Sequence, residues 1–139
     1  MTKLRTLIIE DELDHSETVV NILKNKALSH LTNLGEIDFL QAHNINQAAS
    51  NISQQKPDLA IVDIRLGSNL EAVLKFIEST RKIHPNCLFL MVTAFPGQTT
   101  SERATQTGAA YLLIKPYDPE LLSKTVFTLL ESAALTKQR

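Results

Sequence analysis

The apolar residues of this chain fall into short, near-continuous runs, separated by segments in which they recur every three or four places. Leu4 to Ile9 is mostly apolar and leads straight into three acids, Glu10, Asp11 and Glu12. A run without polar alternation suits a strand covered on both faces, as in a parallel sheet. From about Asp14 to Ser29, Val19, Ile22, Leu23, Ala27 and Leu28 keep helical spacing. A turn around Gly35 then precedes a strand over Ile37 to Ala42. Asn44 with Gln47 reads as a helix cap and its box partner, and Ile45, Ala48, Ala49 and Ile52 give that helix one apolar face up to Lys56-Pro57.

The cycle then repeats. Leu59 to Val62 is continuous and ends on Asp63, and Ser68 with Glu71 predicts a second capping box for a helix from about Asn69 to Arg81. Leu88 to Val92 ends on Thr93. Gln98 to Thr107 is polar, with Ala104 as its one apolar member, and stops at Gly108, which predicts a short, weakly held helix. Tyr111 to Ile114 ends on Lys115-Pro116, and Asp118 followed by Pro119 starts a last helix running to about Ala134. Strict strand and helix alternation implies an α/β fold with a doubly wound, five-stranded parallel sheet and helices on both faces. A barrel would need about 250 residues.

Composition narrows the classes. With 139 residues, 43% of them apolar and 21% charged, the chain is expected to form one domain over 1–139, with a core at about 3–131 and a loose tail from Thr136. A formal net charge of -1 without a Lys/Arg block argues against direct nucleic-acid binding. Cys87 is the one cysteine, which excludes an internal disulfide or a thiolate metal cluster. The longest apolar run, Cys87 to Val92, is far too short for membrane insertion, and the start lacks a signal-peptide pattern, so a cytoplasmic location is expected.

The polar residues at the strand ends carry the chemistry. In an open parallel sheet the carboxyl ends of the strands share one edge, where ligands bind. Glu10 and Asp11, Asp63, Thr93 and Lys115 therefore converge in one cleft. Clustered carboxylates repel one another unless a hard cation sits among them, and carboxylates, a backbone carbonyl and waters suit Mg²⁺. Such an ion leaves one carboxylate able to attack a phosphoryl group in line, giving an aspartyl phosphate whose oxygens an ammonium and a hydroxyl would hold.

At this point the sequence resembles the receiver domain of two-component response regulators, including single-domain regulators of the chemotaxis type, from Lys3 to about Glu131. Leu7-Ile8-Ile9-Glu10-Asp11-Glu12 matches the first strand and acidic pair, and Ala60-Ile61-Val62-Asp63-Ile64-Arg65-Leu66 the phosphoacceptor strand. Thr93-Ala94 matches the hydroxyl and its small neighbour, and Lys115-Pro116-Tyr117 the lysine, proline and aromatic. The intervals of 30 residues from Asp63 to Thr93 and 22 from Thr93 to Lys115 agree with the family. The resemblance implies a flavodoxin-like fold and a signalling switch rather than an enzyme. Asp63 would accept a phosphoryl group from a histidine kinase or phosphotransfer protein. Mg²⁺ would be held by Glu10 as the outer acid, Asp11 as a direct ligand, Asp63, and the carbonyl of Arg65. Ala94 leaves room for phosphate, and Arg65 and Phe95 flank the route of hydrolytic water. The output would be a downstream protein, or a second copy, on the face of the fourth helix, fifth strand and fifth helix.

Three features depart from the family pattern. Gly67 and Glu71 stand where proline and glycine are usual. Leu112 replaces the switch aromatic and offers no hydroxyl, while Tyr111 should point to the other face. The interval between Asp11 and Asp63 is long, through extra residues around Lys26 to Leu34. An adaptor that binds a partner without obligatory phosphorylation is the alternative reading. An aspartyl-phosphate phosphatase would want an acid where Arg65 stands, and no glycine-rich phosphate loop follows the first strand.

Overall fold

The computed structural model describes residues 3–30, 36–63, 70–94 and 98–137. Strands and helices alternate as β1 (Lys3–Ile9), α1 (Leu13–His30), β2 (Glu36–Ala42), α2 (Ile45–Gln55), β3 (Leu59–Asp63), α3 (Leu70–Ile83), β4 (Leu88–Thr93), α4 (Gln98–Thr107), β5 (Tyr111–Ile114) and α5 (Pro119–Lys137). The sheet is parallel with order β2-β1-β3-β4-β5, the doubly wound arrangement expected of the alternation.

Side-chain alternation divides the core between two faces. Leu7 and Ile9 of β1 join Ala48, Ile52, Val73, Leu74 and Ile77 under α2 and α3, whereas Leu4 and Ile8 join Leu23, Leu122, Val126 and Leu130 under α1 and α5. Each fully buried Leu or Ile contributes about 1.5–3 kcal/mol, which is why the central strands β3 and β4 are apolar up to their carboxyl ends. Cys87 is buried, and that burial, followed by the nearby Asp58 charge, pushes its thiol up to about 12.

Local signals set the element ends. The Asn44 side chain accepts the Gln47 N–H at 2.8 Å, as expected, but the Gln47 side chain reaches back one residue further, to the N–H of His43 at 2.8 Å. Lys56 ends α2 in the left-handed region (φ 49°), since Pro57 disfavours helical geometry in the residue before it. Gly108 (φ 89°) closes α4: its N–H donates to the Thr105 carbonyl and that of Ala109 to the Ala104 carbonyl, a Schellman end that favours glycine. The Asp118 side chain accepts the Glu120 N–H at 2.8 Å and starts α5. The turn expected around Gly35 and the Ser68 half of the second capping box lie outside the described residues.

One expectation is corrected at the carboxyl end. The helix α5 continues past Ala134 through Lys137, so Thr136 and Lys137 occupy its last turn rather than a loose tail. The Lys137 ammonium donates to the carboxylate of Asp58 at 3.0 Å and to the carbonyl of Lys3 at 2.9 Å, which fastens that turn to the sheet. The polar helix α4 is also better held than its composition implies. Ala104 and Thr107 are buried, and Arg103 pairs through both guanidinium nitrogens with Glu71 in the first turn of α3. The Glu71 residue that replaces the family's glycine thus supplies a surface ion-pair partner for α4.

Candidate functional site

Glu10 follows β1 directly and keeps the strand's pairing for one more residue, donating its N–H to the Ala42 carbonyl at 3.0 Å. This turns its side chain inward, and only 4% of the residue is exposed. Asp11 lies at the bend that leads into α1 and is exposed. Of the acid pair, Glu10 is thus the buried member and Asp11 the exposed one.

Asp63, the last residue of β3, is also buried, and its Oδ2 accepts from the Lys115 ammonium at 2.5 Å. Lys115 is aimed there by its own backbone, whose N–H donates to the Thr93 carbonyl at 2.7 Å just past the end of β5. Burial, and then the adjacent Asp63 carboxylate as hydrogen-bond acceptor and as negative charge, push Glu10 up to about 8, while Lys115 works in the opposite direction. Among the described residues, Glu10 Oε2 is buried without any donor. Like-charged carboxyls held together beside one ammonium therefore leave an acceptor unmatched.

Beside these groups opens a cavity of about 600 Å³, walled by strand residues such as Ile8, Ile61 and Val92, by α1, and by Pro116 and Tyr117. Ala94 lies on its rim, where a larger side chain would narrow the approach to Asp63. Burial, and then the Asp63 and Glu10 carboxyls, raise the Tyr117 hydroxyl above its ordinary value.

Comparison with known proteins identifies the family. Residues 6–127 match the response regulator receiver domain. The chain belongs to that family. It is 27% identical over 133 residues to the nitrogen assimilation regulatory protein NtrX of Azorhizobium caulinodans, covering 95% of this chain and 27% of that protein. It is 30% identical over 124 residues to the sensory transduction protein LytT of Bacillus subtilis, covering 88% of this chain and 46% of that one. The receiver domain thus spans about a quarter to just under half of the curated relatives it matches. Among solved structures, the CheY-like receiver domain protein of Methanospirillum hungatei superimposes with a TM-score of 0.78 at 20% identity, covering 97% of this chain and 99% of that one. A two-component response regulator from Clostridium difficile superimposes with a TM-score of 0.77 at 23% identity, covering 92% and 96%. Phosphorelay signalling is the function that membership carries, and interaction with a histidine kinase or phosphotransfer partner is typical of such domains. No helix among the described residues is long and apolar enough to cross a membrane.

In this receiver domain the structure gathers Glu10, Asp63, Ala94 and Lys115 around one cavity, with Thr93 buried at the adjoining end of β4. Leu112 does not line it. It packs, half-buried, on the α3 side of the sheet, while Tyr111 points the other way and is exposed, as strand alternation required. Arg65, Phe95 and Gly67 lie outside the described residues. Sequence reasoning missed two histidines: His15 Nδ1 stands 3.2 Å from Glu10 Oε1, and His43 Nδ1 stands 3.1 Å from the Glu10 carbonyl. Their positions, five residues past the acid on α1 and one past β2 on the neighbouring strand, were the available signal.

Proposed function

We propose that Asp63 is the phosphoacceptor of this receiver domain. The observation that carries the reading is the Lys115 ammonium at 2.5 Å from Asp63 Oδ2, beside a buried Glu10 oxygen without a donor. An Asp63 oxygen attacks phosphorus, and the bond from phosphorus to the donor's nitrogen or oxygen breaks. The departing histidine or acetate keeps the bonding pair. Lys115 then exchanges its carboxylate contact for a phosphoryl oxygen, the Thr93 hydroxyl takes a second, and the small Ala94 lets the group approach.

The donor set fits Mg²⁺. Mg²⁺ takes carboxylate and carbonyl oxygens and keeps several waters; among the described residues no three His, Cys, Asp or Glu side chains are grouped to hold an ion, so the site would have to draw together on binding. Glu10 through its unmatched Oε2, Asp63, the exposed Asp11 and the carbonyl of Arg65 are the ligands we assign. The ion, when bound, neutralises charge on the incoming phosphoryl group. Arg65 and Phe95, two places past Asp63 and Thr93 in the sequence, are the residue types that would obstruct in-line water there and lengthen the lifetime of the phosphoryl group. The output lies on α4, β5 and α5, where Tyr111, Ile114 and Leu121 present apolar surface to a downstream protein or a second copy.

Incubation with acetyl phosphate and Mg²⁺ should add one acid-stable, base-labile phosphoryl group to the protein and none to Asp63→Asn. Equal labelling of both would overturn the assignment.

A further inference from the structure

Every polar atom of Glu10 except Oε2 has a partner. Its N–H donates to Ala42, its carbonyl faces His43 Nδ1, and its Oε1 faces His15 Nδ1. The first two contacts fix the backbone. The third orients the side chain together with the neighbouring Asp63 carboxylate, since a glutamate has three rotatable bonds to be held in place. His15 belongs to the first turn of α1, and its Nδ1 also lies 3.3 Å from Glu12 Oε2. One ring N–H is thus shared between two carboxylates, and Glu12 keeps the half-exposed ring turned towards Glu10. An Nδ1–H is available in one neutral tautomer and in the imidazolium, so the contact needs no particular charge on the ring.

We propose that His15 is a positioning residue: its Nδ1–H holds Glu10 Oε1, which presents Oε2 towards Asp63 for a divalent cation. The proposal rests on the Mg²⁺ reading above and deepens it, because a ligating carboxylate is set by its outer hydrogen-bond partner as much as by its own strand. Glu10 with a rotating carboxyl would have to be ordered at each binding event, and affinity would fall accordingly.

The test is a Mg²⁺ titration followed by the amide resonances of Glu10, Asp11 and Asp63, with metal-free thermal unfolding as control. His15→Ala should weaken Mg²⁺ binding by about tenfold, the low end for outer partners of metal ligands. His15→Asn, whose side-chain amide puts an N–H near the position of Nδ1, should bind within about twofold of the original protein, the scatter expected when an equivalent donor is kept. Metal-free unfolding temperatures should agree among the three. If His15→Ala does not fold, His15→Phe, which keeps a ring without the donor, takes its place. Mg²⁺ affinity unchanged in His15→Ala, or His15→Asn no tighter than His15→Ala, would overturn the positioning role while leaving the metal reading intact. An original protein without saturable Mg²⁺ shifts would overturn the metal reading, and this proposal with it.

Discussion

Asp58 and Asp63 bracket β3, and each is only 6% exposed, yet the two carboxyls meet opposite surroundings. At the amino end, Asp58 Oδ2 accepts the Arg5 N–H at 2.8 Å and Oδ1 accepts the Lys137 ammonium at 3.0 Å. Its own N–H donates to the Arg5 carbonyl, and its carbonyl accepts from Leu88. One residue thereby joins β1, β4 and the end of α5, with each carboxylate oxygen matched to a donor. At the carboxyl end, Asp63 shares Lys115 with a second buried acid, and that acid holds its proton up to about 8. Burial of a charge at a strand end therefore says little about chemistry. Crowding of like groups with an acceptor left over is what makes a site able to take up a cation and a phosphoryl group.

The largest effect expected from this contrast is on stability. Asp58→Ala strands a backbone N–H and removes the anchor of Lys137, which should cost about 2–4 kcal/mol in urea unfolding. Asp63→Asn replaces one of two crowded carboxyls and should stay within about 1 kcal/mol of the original protein, or gain. Equal losses in the two variants would break the comparison, because Asp63 would then be structural as well.

The fold was readable because four of the five strands are mostly apolar runs that lead into a polar residue, and the parallel arrangement brings those stops to one edge. Glu10, Asp63, Thr93 and Lys115 were found by that rule. What the sequence withheld depends on where side chains turn. The inward position of Glu10 relative to Asp11 follows from one extra residue of pairing with β2, which no pattern of types discloses. His15 and His43 belong to other elements and meet Glu10 only through packing. Lys137 looked like part of a polar tail because its partner, Asp58, stands 79 residues earlier in the chain.

A smaller effect separates the two ends by pH. An unfolded glutamate ionises near 4.5, whereas Glu10 in the folded protein does so near 8. Folding therefore favours the protonated form, and the contribution of Glu10 is fully present below the unfolded value. It is lost as pH rises from 4.5 towards 8, because the unfolded chain releases this proton first. In Mg²⁺-free buffer, Glu10→Gln should match the original protein at pH 4 and exceed it by about 1–2 kcal/mol at pH 8, the shift being discounted for its coupling to Asp63. Urea unfolding across that range checks it. A constant difference between the two proteins would mean that Glu10 is not held protonated by its surroundings.

The smallest effect tests how much of the calm at the amino end comes from Lys137. Its ammonium meets Asp58 and the Lys3 carbonyl, but the side chain remains 36% exposed, so water and salt screen the pair. Lys137→Met keeps most of the aliphatic stem against α5 and removes only the charge and the donor. Asp58 retains its bond from the Arg5 N–H in that variant, so the carboxylate is not left without a partner. The expected loss is about 0.5–1 kcal/mol in urea, shrinking in high salt. In the Asp58→Ala background the same substitution should cost less, since only the contact with the Lys3 carbonyl remains. A loss of the same size in both backgrounds would assign the effect to the Lys3 carbonyl contact and the last turn of α5, and Asp58 would owe its stability to β1 and β4.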